Sequence, residues 1–157
     1  MNTGPPAGTF IAESEVEVRY AETDAMGVVH HGSFVLYLEL GRTGYMRQRG
    51  HDYASLERSG HHLAVVELRV RYHKPARYGQ RLRVRSWIEG MSSRSITFAY
   101  DILDVESGAC HVTGSSSHVC ITGAGQITRI PRPWSCWRQG LPRTRRPRRE
   151  SNSRPTV

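Results

Sequence analysis

Hydrophobic and polar residues alternate along four stretches in the second half of the chain, which is the period-two pattern of strands that bury one face. The stretches cover residues 66–72, 82–89, 96–102 and 109–121, and Gly114 with three following serines blurs the last of them. Pro75 follows the first stretch, and glycine-containing breaks at 90–93 and 107–108 are typical of hairpins. We therefore predict four consecutive antiparallel strands.

The first half of the chain changes its period along its length. Residues 1–12 are rich in Gly, Pro and Thr and are predicted to be a flexible lead, whereas residues 13–20 alternate as a strand does. Residues 21–32 show no period and are predicted to form a loop. Ser33 is a candidate cap for a long helix to Arg49, with Gly50 as its stop, and residues 52–59 predict a second, short helix.

This order of elements predicts the fold class. A strand, a long helix and four antiparallel strands make an α+β domain in which one helix covers one face of a sheet of about five strands. Two glycines, Gly41 and Gly44, lie inside the long helix, where each costs about 0.5–1 kcal/mol relative to alanine. Either they let another backbone or a ligand approach closely or they are simply tolerated, and the pattern favours neither.

Length and charge change the picture at the C-terminal end. The 157 residues suit one domain. The net charge is +8, but seven arginines and one glutamate in residues 138–157 supply +6 of it, which leaves +2 for the rest. Residues 135–157 are rich in Arg and Pro and have no period, so we predict a disordered tail after a domain at 13–134. Nucleic acid is not an expected partner beyond weak polyanion binding by this tail.

Cysteine content and hydropathy bear on location. Three cysteines without metal-binding spacing argue against a disulfide framework and favour a reducing compartment. The first residues lack the basic and apolar regions of a signal peptide, and no apolar run reaches the roughly 20 residues of a membrane-spanning helix. We expect a cytoplasmic protein with no membrane partner.

Residue types that carry chemistry are concentrated in the loop YAETDAMGVVHHGSF, residues 20–34. Asp24 lies between a predicted strand and a predicted helix, followed by Gly27, His30 and His31. Unpaired N–H groups at a helix N-terminus can stabilise an oxyanion, and a nearby carboxylate can activate water or attack a thioester. The alternatives are a carboxylate that only caps amides and two ordinary loop histidines. The other histidines show no ligand pattern, so we predict no metal site.

A family resemblance strengthens the catalytic interpretation of this loop. The segment VRYAETDAMGVVHHGSFVLYLELGRTGYMR, residues 18–47, resembles the opening of the hotdog-fold 4-hydroxybenzoyl-CoA thioesterase family. It is most similar to the branch of small bacterial, YbgC-like acyl-CoA thioesterases associated with the Tol-Pal system. The motifs YHKPA at 72–76 and SITF at 95–98 also agree. The resemblance covers about residues 14–134.

The resemblance implies a fold, an activity and roles for the loop. The fold is a hotdog, an antiparallel sheet wrapped around the long helix, with active sites between two subunits of a homodimer or homotetramer. The activity is hydrolysis of acyl-CoA to a free acid and CoA without a cofactor. Asp24 is the implied nucleophile or general base, and the backbone N–H of His31 polarises the thioester carbonyl. Gly27 and His30 support the loop.

Further residues are expected to line the pocket or contact CoA. Val29, Phe34 and Glu39 are candidates for its wall. CoA carries phosphates, so polar and basic residues are expected at the mouth. The candidates are Arg94 and Ser93 in the 90–95 hairpin and His73 and Lys74 after the first alternating stretch. For each basic residue, a solvated surface charge is the alternative.

The sequence leaves four questions open: the alternative function, the nature of the C-terminal tail, the acyl group and the size of the oligomer. A non-catalytic acyl-CoA or acyl-carrier-protein binding module of the same fold is the alternative function, although such a module has no need of Asp24. The C-terminal tail departs from the family and is either a basic arm or a shifted reading frame. The acyl group and the choice between dimer and tetramer are not indicated by the pattern.

Overall fold

The computed structural model describes residues 4–138 and residue 141, and it contains one five-stranded sheet and one long helix. The elements are β1 (Ala12–Glu17), α1 (His31–Gln48), α2 (Tyr53–Arg58), β2 (His61–Tyr72), β3 (Arg81–Met91), β4 (Ser95–Asp104), β5 (Cys110–Thr122) and α3 (Arg132–Ser135). Single 3-10 turns lie at Tyr20–Glu22 and Cys136–Arg138.

The sheet has the strand order β1-β3-β4-β5-β2, and every neighbouring pair is antiparallel. Helix α1 packs against β1, β3 and β4. Its buried side chains, among them Phe34, Leu38 and Tyr45, join the core with alternate residues of the strands. The predicted α+β architecture, a sheet around one central helix, is confirmed.

The boundaries of three elements differ from those predicted. The long helix begins at His31 and is capped by His30, so the predicted cap at Ser33 is wrong. The first strand ends at Glu17 rather than at residue 20, because the chain turns into the 3-10 segment there. Strand β2 begins at His61, five residues before the alternating pattern begins. Pairing with β5, not alternation, holds those extra residues in the strand.

The two helix glycines mark the closest approach of α1 to the sheet. A Cβ atom on Gly41 would lie 2.6 Å from Cγ1 of Val84, and one on Gly44 would lie 2.6 Å from Oγ of Ser14. The Ser86 hydroxyl also donates to the Gly41 carbonyl at 2.9 Å. Side chains of β3 and β1, rather than another backbone or a ligand, therefore lie close to the helix at these two glycines.

Strand β2 forms an edge of the sheet and is unusually apolar on its open side. Val66 and Leu68 are 60% and 41% exposed, and Tyr72 is also exposed. The alternating pattern placed these residues on one face, which the described chain covers only in part: Tyr72 packs against Phe34, whereas Val66 and Leu68 stay open. An apolar edge strand of this kind is open to pairing with another chain.

The segment after β5 differs from the expectation of a disordered tail from residue 135. Trp134 and Trp137 are both buried. The Trp134 indole N–H donates to the His51 carbonyl at 3.0 Å, and the Trp137 ring packs edge-on against Tyr45. Each indole buries a large apolar surface, and this burial favours an ordered segment even though the sequence around it is rich in arginine. Of the predicted tail after Trp137, only Arg138 and Leu141 are among the described residues.

Candidate active site

The loop that carries Asp24 is a tight turn between β1 and α1. The Asp24 N–H donates to the Val28 carbonyl at 2.8 Å, and the Gly27 N–H donates to the Asp24 carbonyl at 3.0 Å. Gly27 has a φ of +75°, in the left-handed region that favours glycine. Glycine at this position therefore allows the tight turn of the loop.

The Asp24 side chain is half-buried and uses only one of its oxygens to hold the loop. Oδ1 accepts a hydrogen bond from the Met26 N–H at 2.8 Å. Within residues 4–138, no donor lies within hydrogen-bonding distance of Oδ2. The capping interpretation and the catalytic interpretation thus apply to different oxygens of one carboxylate.

The start of α1 offers a free amide beside this loop. His30 is the cap, and its Nδ1 accepts from the Gly32 N–H at 3.0 Å, which places the proton of the neutral ring on Nε2. The backbone N–H of His31 donates to no acceptor in the described part of the chain. The His31 ring is exposed and lies on the His30 ring, with centroids 4.1 Å apart. An unpaired amide at a helix N-terminus can stabilise negative charge on a bound group.

A buried carboxylate, Glu22, supports the loop and was missed by the sequence interpretation. Its Oε1 accepts from the Arg19 N–H at 2.8 Å and its Oε2 from the Arg19 guanidinium at 3.3 Å. Its carbonyl accepts from the His30 N–H at 2.8 Å. Burial alone raises the pKa of the Glu22 carboxyl, but the hydrogen bonds from Arg19 outweigh it and hold the pKa below its ordinary value. The available signal was Arg19 and Glu22 three residues apart after a strand.

The end of β2 closes the other side of the helix start. The Tyr72 hydroxyl donates to the His31 carbonyl at 2.8 Å, and its ring packs edge-on against Phe34. Phe34 and Val29, both predicted to line the pocket, are buried in the core. Glu39 is exposed on α1, two turns beyond His31. A role for these three residues in an acyl pocket stays a prediction.

The predicted CoA contacts divide between the two ends of the sheet. His73 and Lys74 follow β2, at the same end as the loop, and both are exposed. The His73 Nε2 pairs with the Thr113 hydroxyl at 2.8 Å. Arg94 and Ser93 lie in the hairpin between β3 and β4, at the other end of strands about 30 Å long. A single chain therefore does not bring Arg94 or Ser93 to Asp24.

The described residues contain neither a metal site nor a membrane-spanning helix. No group of three or more His, Cys, Asp or Glu side chains in this part of the chain could hold a metal ion. No described helix has the length and apolar character needed to cross a membrane. The absence of a cofactor stays a prediction.

Comparison with known proteins identifies the family. Residues 18–137 match the model of the thioesterase-like superfamily. The chain belongs to this superfamily. The matched range contains the Asp24 loop, the whole sheet and the two buried tryptophans, so this superfamily domain extends to Trp137.

Named relatives of this superfamily domain are thioester hydrolases. YneP of Bacillus subtilis, which carries a provisional acyl-CoA thioesterase name, is 35% identical over 71% of this chain and 80% of YneP. The acyl-CoA thioester hydrolase YbgC of Escherichia coli O157:H7 is 33% identical over 59% of this chain and 69% of YbgC. The DHNA-CoA thioesterase of Staphylococcus aureus is 34% identical, with a TM-score of 0.76 over 81% of this chain and 85% of that enzyme.

These comparisons confirm the resemblance to YbgC-like thioesterases, the hotdog-like fold and the classification of the chain as a thioester hydrolase. They do not test which residues act in the reaction.

Proposed function

We propose that this thioesterase hydrolyses acyl-CoA, with the Asp24 carboxylate acting on water or on the thioester and the His31 N–H polarising the thioester carbonyl. One observation carries the proposal: a single short loop presents both a carboxylate oxygen that accepts no hydrogen bond, Asp24 Oδ2, and an unpaired amide at the helix N-terminus, that of His31. The names of YneP and YbgC support acyl-CoA as the substrate class.

The reaction can follow either of two routes from this arrangement. As a general base, Asp24 takes a proton from water while the water oxygen bonds to the carbonyl carbon. The oxyanion that forms accepts a hydrogen bond from the His31 N–H; the C–S bond then breaks, and the sulfur takes up a proton to give the CoA thiol. As a nucleophile, Asp24 displaces the thiolate and forms an acyl anhydride, which water hydrolyses.

The surroundings of Asp24 suit both routes. Its turn is braced by Gly27 and by the Glu22 carbonyl through His30, so the carboxylate and the amide are held in place before substrate binds. Preorganised groups of this kind do not need to reorient as charge develops, which is the main source of electrostatic stabilisation in enzymes.

The test is turnover by Asp24→Asn. Asparagine can still accept the Met26 hydrogen bond, so the turn persists while the negative charge is lost. We expect kcat for release of CoA thiol from a panel of acyl-CoAs to fall by about 100-fold or more, with an unchanged circular dichroism spectrum. Binding of acyl-CoA by the unaltered protein without thiol release would instead favour a non-catalytic module.

Asp104 provides a matched control. Its Oδ1 accepts from the Glu106 N–H at 3.1 Å, two residues on, as Asp24 does with Met26. Asp104→Asn therefore makes the same chemical change in the same kind of turn, although Asp104 Oδ2, unlike Asp24 Oδ2, also accepts from the Ser107 hydroxyl and the Gln80 side chain. We expect this variant to keep its turnover. Equal losses in the two variants would indicate that turn stability, not catalysis, explains the effect.

An isotope experiment separates the two routes. After many turnovers in H₂¹⁸O, the nucleophilic route labels the Asp24 carboxylate when water attacks the aspartyl carbonyl of the anhydride. General-base catalysis labels only the released acid. Label found by mass spectrometry in the peptide that contains Asp24 therefore establishes the nucleophilic route, whereas its absence fits general-base catalysis or attack of water on the acyl carbonyl of the anhydride.

The functional unit is proposed to be a homodimer that pairs through β2. The open edge and exposed apolar face of β2, with Val66, Leu68 and Tyr72, support this arrangement. Twofold pairing of two β2 strands makes them antiparallel, so the 91–95 hairpin of the second copy approaches the Asp24 end of the first. Arg94 and Ser93 of the second copy can then contact CoA at that site.

A further inference from the structure

Two tyrosine rings project from the surface beside the Asp24 loop. Tyr20 and Tyr78 are 79% and 65% exposed, and their rings meet edge to face with centroids 5.9 Å apart. Three other tyrosines, Tyr37, Tyr45 and Tyr100, are almost fully buried. An aromatic pair left open to solvent by the described chain is a feature of binding surfaces.

Backbone hydrogen bonds hold both rings in place. Residues 77–80 form a tight turn in which the Gln80 N–H donates to the Arg77 carbonyl at 3.1 Å and Gly79 has a φ of +79°. Tyr78 occupies the second position of this turn. The Gly79 N–H donates to the Val18 carbonyl at 3.0 Å, and the Val18 N–H donates to the Gln80 carbonyl at 2.9 Å. The turn is thus fastened two residues before Tyr20.

The same turn is fastened to the Asp24 loop. The Val29 N–H donates to the Ala76 carbonyl at 2.8 Å, and Val28 and Arg77 form an antiparallel bridge. A Cβ atom on Gly27 would lie 3.8 Å from Nη1 of Arg77, so this guanidinium lies over the loop.

Tyr20 is joined to the loop from the other side. Its carbonyl accepts from the Thr23 hydroxyl at 2.7 Å and from the Thr23 N–H at 3.1 Å. The two rings are therefore next to the proposed reaction centre.

Arg77 gives this surface an uncompensated positive charge. In residues 4–138, its guanidinium has no ion-pair or hydrogen-bond partner; its backbone N–H donates to Gln80 Oε1 at 2.7 Å and its carbonyl accepts from the Gln80 N–H. By contrast, Arg19 nearby is already paired with Glu22. A free guanidinium on the same surface as two exposed rings combines a phosphate-binding group with surfaces on which a nucleobase can stack.

We propose that Tyr20, Arg77 and Tyr78 bind the nucleotide end of CoA, with the adenine against the tyrosine rings and a phosphate on the Arg77 guanidinium. This inference rests on the proposed acyl-CoA hydrolysis and goes further, because it assigns a site that distinguishes CoA from other carriers of the same thioester. It adds a contact from the chain that supplies Asp24 to those proposed for the second copy.

The test compares two substrates with the same acyl group, acyl-CoA and acyl-pantetheine, which lacks the nucleotide. In the Tyr20→Ala/Tyr78→Ala double variant, we expect kcat/KM for acyl-CoA to fall by about ten- to a hundredfold, mostly through KM. The expected fall for acyl-pantetheine is far smaller. Arg77→Gln should also lower kcat/KM for acyl-CoA, and it should reduce the dependence of KM on salt concentration.

Arg83→Gln is the control for loss of charge, because Arg83 on β3 is ion-paired with Glu15 on β1 and lies outside the proposed site. This variant should have the same kcat/KM as the unaltered protein for both substrates. Thermal unfolding of each variant checks that the fold persists.

Several outcomes would overturn the assignment of this site. These are equal falls for the two substrates, no change for either, or a loss confined to acyl-carrier-protein substrates. Calorimetric titration with free CoA decides the matter independently of turnover, since the double variant should bind CoA at least about tenfold more weakly. If the unaltered protein released no thiol from either substrate, the proposed function would fail while this titration still reported on the site.

Discussion

Asp24, His30 and His31 belong to one sequence motif, but their atoms make different contacts in the structure. Asp24 holds its turn with Oδ1 and leaves Oδ2 available, and His30 caps the helix while His31 presents an unpaired amide. The sequence placed all three in one loop and left open whether they cap or catalyse. Only atomic positions separate the two roles, because both use the same residue types at the same spacing.

Another residue, His118, was set aside in the sequence interpretation and is fully buried. Its Nε2 pairs with the Ser116 hydroxyl at 2.8 Å, and its Nδ1 has no partner within the described residues. Burial, with a smaller effect of Arg42, lowers the pKa of His118 to about 4. The ring is therefore neutral in the folded protein at pH 7.

This histidine predicts loss of stability in mild acid. Between pH 6.5 and 4 the unfolded chain binds a proton that the folded His118 does not, so the free energy of unfolding falls as the pH falls through this window, by up to about 3 kcal/mol. His118→Phe removes the titrating group and keeps a ring against Phe98. Urea unfolding at pH 7.5, 6 and 5 should show a shallower pH dependence for the variant. Parallel curves would assign the acid sensitivity to other groups.

At the scale of elements, the close contact between α1 and the sheet determines which residues fit at Gly41 and Gly44. A larger residue at Gly41 meets Val84, a β-branched core residue that cannot rotate away easily. At Gly44 it meets the Ser14 hydroxyl, which can rotate. Replacement by a larger residue should therefore destabilise the protein more at Gly41 than at Gly44.

We predict opposite effects for two alanine substitutions in α1. Gly41→Ala should destabilise the protein by about 1–3 kcal/mol, because the added methyl overpacks the contact with β3. Gly44→Ala should be neutral or stabilise by up to about 1 kcal/mol, since alanine is the better helix former. Chemical denaturation of both variants provides the measurement. If the two lost stability equally, the helix would be equally tight at both positions.

At the scale of the whole molecule, the site is spread over more chain than the 20–34 loop. Tyr72 at the end of β2 and Arg77 in the turn before β3 both lie outside the loop, yet the Tyr72 hydroxyl donates to the His31 carbonyl and the Arg77 guanidinium lies over Gly27. Arg94 lies at the far end of the sheet and can meet Asp24 only across a dimer. The proposed active site therefore needs two copies, and this can be tested directly.

Mixing two inactive variants should restore activity. Asp24→Asn and Arg94→Ala homodimers each have damaged sites, but a heterodimer has one site with an intact Asp24 from one copy and an intact Arg94 from the other. After subunit exchange, about a quarter of the sites should work, because half of the dimers are mixed and each has one intact site. Thiol release measured before and after exchange gives the result. If mass spectrometry confirms subunit exchange but thiol release does not recover, either both residues act within one chain or Arg94 is not part of the active site.

The β2 edge gives a second measurement at this scale. Val66→Lys puts a charge on the exposed apolar face, so the protein should elute as a monomer if that edge forms the dimer. The same variant without any change in size would contradict pairing through β2.

The sequence by itself determined the order of elements, the fold class and the loop that carries the candidate chemistry. These follow from local periodicity and from residue types at short spacing, which a chain displays without folding. The tertiary structure decided what depends on distant contacts: the burial of Trp134 and Trp137 by the end of α1, the approach of Gly41 to Val84, and the turn that places Arg77 over the loop. No local pattern encodes such contacts, because each joins residues that meet only when the sheet closes around the helix.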